Sequence, residues 1–385
     1  MTKKLLDKLA SYGFCCVLLI CLFCLTLFGT LYQVDYGLYE AKKVYFSSFW
    51  LMSDKSFILP FPGFPGGLTV MGLLSINMLM GGLVRLKIRR RNLGVVLIHI
   101  GIAFMLGAGL VKTLTAKEGN LKLIEGQTSR FFKSYHNWEV AIWPMGMNGK
   151  VQEHVIRHEQ IADLTGTKSR TFTSDSLPFD VKLTNFVQHC RVEQKGPMWQ
   201  STGPAVDGYG ILELTPEKEA EFNVAGMHVQ VGDQKAILWG IENEPWTLDM
   251  PGHEHWAITL RHESYEMPFE IQLTDFMKEE HPGLTMARSF RSQVVKIDEN
   301  GEENILIQMN EPLRQDDLVL FQSSYGTSRS GREYSVFSVV HNVSDKWPEY
   351  ALWVITLGML YTFIFKLAGF IGKTNRKRAA TESAA

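Results

Sequence analysis

LGVVLIHIGIAFMLGAGLV, residues 93–111, is apolar throughout except at His99. The stretch follows a dense basic run, Arg85, Lys87, Arg89, Arg90 and Arg91, and meets no charge until Lys112. A hydrocarbon core of roughly 30 Å takes about 20 apolar residues in a helix, so this stretch reads as a membrane span. Three others qualify on the same ground: residues 11–32, rich in Leu, Phe and Cys; residues 66–84, GGLTVMGLLSINMLMGGLV; and residues 349–372. Lys366, near the end of the last, can snorkel to the interface.

The charges orient these four helices. Lys3, Lys4 and Lys8 precede the first, the basic loop 85–92 joins the second to the third, and Lys373, Arg376, Lys377 and Arg378 follow the fourth. The positive-inside rule puts all three clusters on the cytoplasmic side. The expected layout is therefore a cytoplasmic tail 1–10, spans at 11–32, 66–84, 93–111 and 349–372, an outer loop 33–65, an outer domain 112–348 and a cytoplasmic tail 373–385. Both termini are expected in the cytoplasm, with the large domain outside. Aromatics from Tyr36 to Trp50 predict an interfacial helix in the first outer loop, either bordering a partner or anchoring at the membrane surface. The first span is too long for a signal-peptide core and is expected to be retained.

Whole-chain composition conceals this plan. A net charge of −1 and 45% hydrophobic residues look like a globular protein, because a polar domain dilutes the helices. No basic surplus points to nucleic acid. Four of the five cysteines lie in the first span. Cys21 and Cys24 are spaced as in a redox motif, yet mid-membrane surroundings disfavour the thiolate such a motif needs; apolar packing is the competing reading.

Residues 112–348 change character. Short alternating segments such as 120–124, 227–231, 304–308 and 334–340 are bounded by Gly, Asn and Asp, which predicts β-strands. One internal echo stands out: LPFDVKLTNF, residues 177–186, recurs as MPFEIQLTDF, residues 267–276. Phe179, Val181 and Leu183 share one strand face, as do Phe269, Ile271 and Leu273. The echo suggests two related β modules; two core strands converging on one pattern is the alternative. His253 and His255 carry a spacing that metals use, although the preceding Pro251-Gly252 reads equally as a turn. No nucleophile triad, phosphate loop or paired-carboxylate motif is evident.

An ionisable side chain inside a membrane marks a functional site by default. His99 lies about 9 Å from the cytoplasmic end of its helix at 1.5 Å per residue. Gly94, Gly101 and Ala108 recur every seven residues as a small-residue stripe suited to close packing. His99 stands about 140–160° away from Gly94 and Gly101, so the stripe can pack while the imidazole faces elsewhere. Either it hydrogen-bonds a neighbouring helix, for example at Asn77, or it ligates a metal or haem iron. The other three spans contain no histidine. If the site pairs two imidazoles, the second ligand must come from another polypeptide.

Several motifs, taken in order, resemble the ResB/CcsB family of System II cytochrome c biogenesis proteins. They are Phe28-Gly-Thr-Leu-Tyr-Gln-Val-Asp-Tyr-Gly-Leu-Tyr-Glu-Ala41, Leu59-Pro-Phe-Pro-Gly63, the Gly-Gly-Leu-Val-Arg85 end of the second span and His99-Ile-Gly101. Lys117-Glu-Gly119, Ile124-Glu-Gly-Gln-Thr128, Asn310-Glu-Pro-Leu313 and Phe321-Gln-Ser-Ser-Tyr325 complete the set. The resemblance implies a subunit that joins a CcsA/ResC-like membrane partner, moves haem b as a transported substrate across the cytoplasmic membrane, and supports its attachment to apocytochrome c. It implies that His99 is an axial haem-iron ligand, the only metal role expected of it, with the second ligand from the partner. No W-W-D-type motif occurs, so the partner is expected to be a separate chain. The expected role is that of a required subunit of the synthase, not an enzyme alone. A membrane-anchored β-domain sensor or binding protein, with His99 structural, is the alternative.

Overall fold

The structure, a computed structural model, describes residues 2–51, 63–84, 89–145, 152–196, 203–241, 244–249, 255–283, 287–328 and 331–382. The chain forms two compact units: Met1–Ala116 with Asn342–Ala385, and Lys117–His341.

The first unit is helical. Its helices are α1 (Thr2–Leu9), α2 (Tyr12–Ala41), α3 (Gly67–Met78), α4 (Leu93–Thr115) and α5 (Trp347–Glu382). Three stretches are long and apolar enough to cross a membrane: Tyr12–Phe46, Arg90–Thr115 and Trp347–Thr381. The remaining apolar helix, Gly67–Gly82, is shorter; at 1.5 Å per residue it rises about 24 Å. The protein is thus a membrane protein with three long apolar helices and a large β domain.

The first span runs further than its apolar pattern suggests. Leu31 to Tyr36 holds neither glycine nor proline, so nothing stops the helix there. Tyr32 is buried and stacks on Tyr36 with ring centroids 4.2 Å apart. The first interruption is Gly37, at φ 81° and ψ 165°, a conformation favouring glycine. A π-helical turn, Lys42–Phe46, follows, so the expected interfacial helix is a kinked continuation of α2. A two-stranded ladder then pairs Trp50–Leu51 with Phe64–Pro65. The start of α3 packs tightly on this turn, because a Cβ on Gly67 would stand 2.6 Å from Phe46 Cα.

The helical packing follows the small-residue stripe. Gly94, Gly101 and Ala108 are the buried residues of α4. A Cβ on Gly94 would meet Thr362 Oγ1 at 2.2 Å, and one on Gly101 would meet Ile355 Cγ1 at 2.5 Å. On the facing helix, a Cβ on Gly358 would meet Gly94 O at 2.7 Å. Small residues therefore let the α4 and α5 backbones touch. The Ser344 hydroxyl donates to Ala108 O at 3.0 Å and closes the same contact near its end.

The second unit is β-rich. In chain order its strands are β1 (Lys117–Ile124), β2 (Thr128–Pro144), β3 (His154–Ile156), β4 (Ser169–Phe172), β5 (Val181–Val187), β6 (Cys190–Gln194), β7 (Tyr209–Glu213) and β8 (Gly226–Val231). They continue as β9 (Gln234–Trp239), β10 (Trp246–Leu248), β11 (Trp256–Glu280), β12 (Ala287–Asp298), β13 (Gly301–Gln308), β14 (Leu313–Gln315), β15 (Leu318–Thr327) and β16 (Glu333–His341). A ten-stranded sheet runs β13-β12-β11-β2-β1-β16-β15-β14, with β10 on β11 and β3 on β2. A four-stranded sheet runs β9-β8-β5-β4, and β6 and β7 form a hairpin. Among the described residues, the pairings in the ten-stranded sheet are antiparallel.

Two large hydrophobic cores lie in this unit, beside a small cluster of Val187, Cys190 and Ile211. Phe179, Val181 and Leu183 belong to one, with Trp138, Val140, Ile142, Ile258 and Leu260. Phe269, Ile271 and Leu273 belong to the other, with Leu121, Leu123, Phe132, Leu320 and Phe337. The echoed segments thus each bury the alternate residues their pattern selects. Their settings differ: β5 is an inner strand of the small sheet, whereas the second copy lies on β11, between β12 and β2. β2 and β11 are long enough to serve both cores, so the cores share strands.

Candidate functional site

Helix α4 presents His99 on the side away from its packed stripe. The imidazole is half-buried, and its Nδ1 lies 2.7 Å from Val95 O, one turn earlier. A carbonyl oxygen only accepts, so Nδ1 carries the proton in this pair. In the neutral ring that leaves Nε2 with a lone pair, the form in which imidazole ligates metals.

The ring rests against the π-helical turn Leu79–Val84 that extends α3. A Cβ on Gly82 would stand 2.2 Å from His99 Cδ2, 2.8 Å from Nε2 and 2.9 Å from Cγ. The expected alternative partner, Asn77, is engaged elsewhere. Its Nδ2 donates to Leu9 O at 2.6 Å and to Ser11 O at 3.1 Å, so it ties the α1–α2 junction to α3. The hydrogen bond of His99 therefore comes from its own helix.

An apolar cavity of about 630 Å³ lies among α2, α3 and α4, lined by Leu22, Met71, Ser75, Ala103, Leu106 and Leu110. His99, Ala103, Leu106 and Leu110 fall within about 60° of one another at 100° per residue; His99 thus lies on the same side of α4, one turn before Ala103, and does not itself line the cavity. Cys21 is half-buried and packs against the apolar cluster that includes Leu25, Tyr45 and Val70; Cys24 is a free thiol on the same helix. These positions fit apolar packing.

The β unit holds a polar groove of about 750 Å³, lined by Glu139, Glu153, Arg157, Arg261, Glu263 and Tyr265 among others. Its centre is Arg261. Nε donates to Glu139 at 2.8 Å, and the terminal nitrogens donate to Glu153 at 3.3 and 2.5 Å. Glu139 is buried, and desolvation outweighs Arg261 in raising its carboxyl above the ordinary range. Glu263 is also buried and accepts from the Tyr265 hydroxyl at 3.1 Å. Burial, with the Glu263 charge, pushes the phenol up to about 12. Composition and spacing gave no sign of this groove, because residues 122 apart in sequence meet only through the β2–β11 register.

Other histidines serve the fold. His158 Nδ1 accepts from Trp138 N at 3.3 Å, His189 Nδ1 accepts from Val224 N at 3.1 Å, and His228 Nε2 lies 3.1 Å from Pro204 O. His255 is exposed and pairs with Asp249 at 2.6 Å, while His253 lies outside the described residues. Among the described residues no group of three or more His, Cys, Asp or Glu is placed to hold a metal ion.

No curated protein matches the chain. The ResB-like family matches residues 252–356, which take in β11 through β16 and the first turns of α5. The matched segment does not include His99. It does contain Asn310-Glu-Pro-Leu313 and Phe321-Gln-Ser-Ser-Tyr325, whose roles are structural. Gln308 and Glu311 form a β-bridge that turns the chain, and Leu313 enters the second core. Gln322 is buried at a register shift of β15; it accepts from Ser292 at 2.7 Å and donates to Ser335 Oγ at 2.6 Å. A buried polar group of this kind must be satisfied, which ties the motif to its neighbours on β12 and β16. Upstream motif glycines have similar causes. A Cβ on Gly119 would lie 2.1 Å from Lys133 O, and Gly126 turns the β1–β2 hairpin at φ 83°. Over this segment, about a quarter of its length, the chain is similar to the ResB-like family.

Proposed function

We propose that the chain is the haem-handling subunit of a System II cytochrome c synthase, acting with a CcsA/ResC-like membrane partner. The similarity of residues 252–356 to the ResB-like family supports a role in cytochrome c biogenesis. The observation that carries the finer reading is His99: an imidazole inside a membrane helix, its Nδ1 tied to a backbone carbonyl, its Nε2 lone pair uncommitted by that bond, on the side of α4 that lines an apolar cavity one turn further on. A ferric or ferrous porphyrin needs such an axial nitrogen and an apolar wall.

In this reading haem b is cargo. His99 supplies one axial ligand and the partner supplies the other, since α2, α3 and α5 carry no histidine. The protein contributes position and shelter from water, while the carbon–sulfur bonds form on the apocytochrome cysteines. Gly67–Gly82 completes a fourth crossing, the termini lie in the cytoplasm, and the β domain lies outside. The basic clusters at both ends and in loop 85–92 support that orientation.

The test is maturation itself. In a cell whose own chain is deleted, the unaltered protein with its partner is expected to restore covalently haem-stained cytochrome c, and His99→Ala is expected to abolish it at equal membrane abundance. Undiminished covalent haem in the variant contradicts the proposal.

A further inference from the structure

We propose that Gly82 and the Val95 carbonyl are positioning residues for His99, together holding the imidazole in one tautomer and one orientation. The inference rests on the reading of His99 as an iron ligand.

The carbonyl acts first. It fixes the proton on Nδ1 at 2.7 Å, and such outer partners both orient a ligating histidine and raise its basicity. This partner is built into the helix, because residue i−4 always presents its carbonyl along the same face. It needs no second polar side chain in the membrane.

Gly82 acts on the opposite side of the ring. The close approach falls at Cδ2, with Nε2 and Cγ nearly equidistant behind it at 2.8 and 2.9 Å. The glycine therefore backs the Cδ2 corner and not the Nε2 tip. A methyl at 2.2 Å cannot coexist with the ring. Ordinary contact starts near 3.4 Å, so ring or helix must move by about 1 Å, beyond the roughly 0.5 Å tolerance of a ligand site. The approach is made where the helix changes from α to π winding, at Leu79–Val84. Such turns are rare and concentrate at functional sites. Crowding is not general in this unit: a Cβ on Gly72, Gly107 or Gly109 would meet nothing within 4 Å. The crowded glycines Gly94 and Gly101 face the neighbouring helix, whereas Gly82 faces a ligating side chain.

The experiment compares the unaltered complex of full chain and partner, purified with haem, with Gly82→Ala, Gly369→Ala and His99→Ala; a Cβ on Gly369 likewise meets nothing within 4 Å, and Gly369 does not line the cavity. Absorption and electron paramagnetic resonance report the iron's axial ligands. Gly369→Ala is expected to keep the six-coordinate, low-spin signature. Gly82→Ala is expected to lose or distort it and to retain haem about 10–100-fold more weakly, although His99 is still present and the partner still co-purifies. An intact low-spin signature and normal haem retention in Gly82→Ala, with loss in His99→Ala, overturns the positioning role alone. An unchanged spectrum in His99→Ala overturns the ligand reading beneath it. Should Gly82→Ala fail to accumulate, nitrogen-15 NMR of the unaltered haem-free chain decides. The resonance pair missing from His99→Gln must be that of an Nδ1-protonated ring; an Nε2-protonated ring refutes the proposal.

Discussion

Acid is expected to destabilise the β domain, and His262 supplies a separable part of the effect. Its ring stacks on Trp138 with centroids 4.0 Å apart and planes at 30°, and its Nδ1 is buried with no hydrogen-bond partner. Burial first, then the Lys133 and His136 charges, lower its pKa from 6.5 to about 4, partly opposed by the backbone at Asn137 and Ser134. A depressed histidine pKa means that the unfolded chain takes up the proton first. The contribution to stability is therefore full above about 6.5 and is lost as pH falls through about 4. The drop of about 2.5 units, at 1.36 kcal/mol each, gives about 3 kcal/mol. Full-length protein in detergent can be titrated by following Trp138, since a protonated imidazole against the indole quenches it, with His262→Gln as reference. The difference in unfolding free energy between the two proteins should shift by about 3 kcal/mol against the unaltered chain between pH 7 and pH 4. Carboxylates common to both cancel. A His262 titration midpoint near 6.5, or a difference that does not change with pH, refutes the reasoning.

Three further outcomes follow from other sites. Arg261→Ala strands the buried Glu139 carboxylate and should cost about 3–5 kcal/mol in thermal or denaturant unfolding, with part recovered by adding Glu139→Gln; a change within about 0.5 kcal/mol would show that the pair is not the anchor described. Gly101→Leu should drive α4 from α5 and lower membrane accumulation, because a Cβ already meets Ile355 Cγ1 at 2.5 Å, whereas Gly107→Leu opens onto free space and should be tolerated; equal protease resistance of the two contradicts the packing. The Cys190 thiol, pushed up to about 12 by burial and then Glu213, should resist iodoacetamide at pH 8 until the protein is denatured, and alkylation at the rate of a free thiol would contradict its burial.

Much of this molecule is legible before folding because the membrane constrains sequence strongly. Apolar length marks the helices, and the seven-residue repeat of Gly94, Gly101 and Ala108 marks the face that packs on α5. Period-two alternation likewise selects Val181 and Leu183, and Ile271 and Leu273, as core residues. What stays hidden depends on tertiary register. The continuation of α2 beyond Tyr32 rests on aromatic packing that no periodicity encodes. The lengths of β2 and β11, which let two cores share strands, blur where polar residues interrupt the alternation. Glu139 and Arg261 are ordinary charges until strand pairing buries one against the other. The two glycines at 81 and 82 stand in the sequence as the end of an apolar span; only the π turn shows that one of them closes on His99. Val95 was invisible as a partner because it offers backbone, not side chain.

The central claim is that the intramembrane imidazole is half of a shared iron site. Its most direct measurement is the visible spectrum of the purified chain with its partner, beside that of the chain alone and of the complex carrying His99→Ala. The account predicts a bis-imidazole Soret and α/β band pattern that needs both polypeptides and disappears from the variant. The same low-spin bands in the chain alone, or their persistence without the His99 ring, would contradict it.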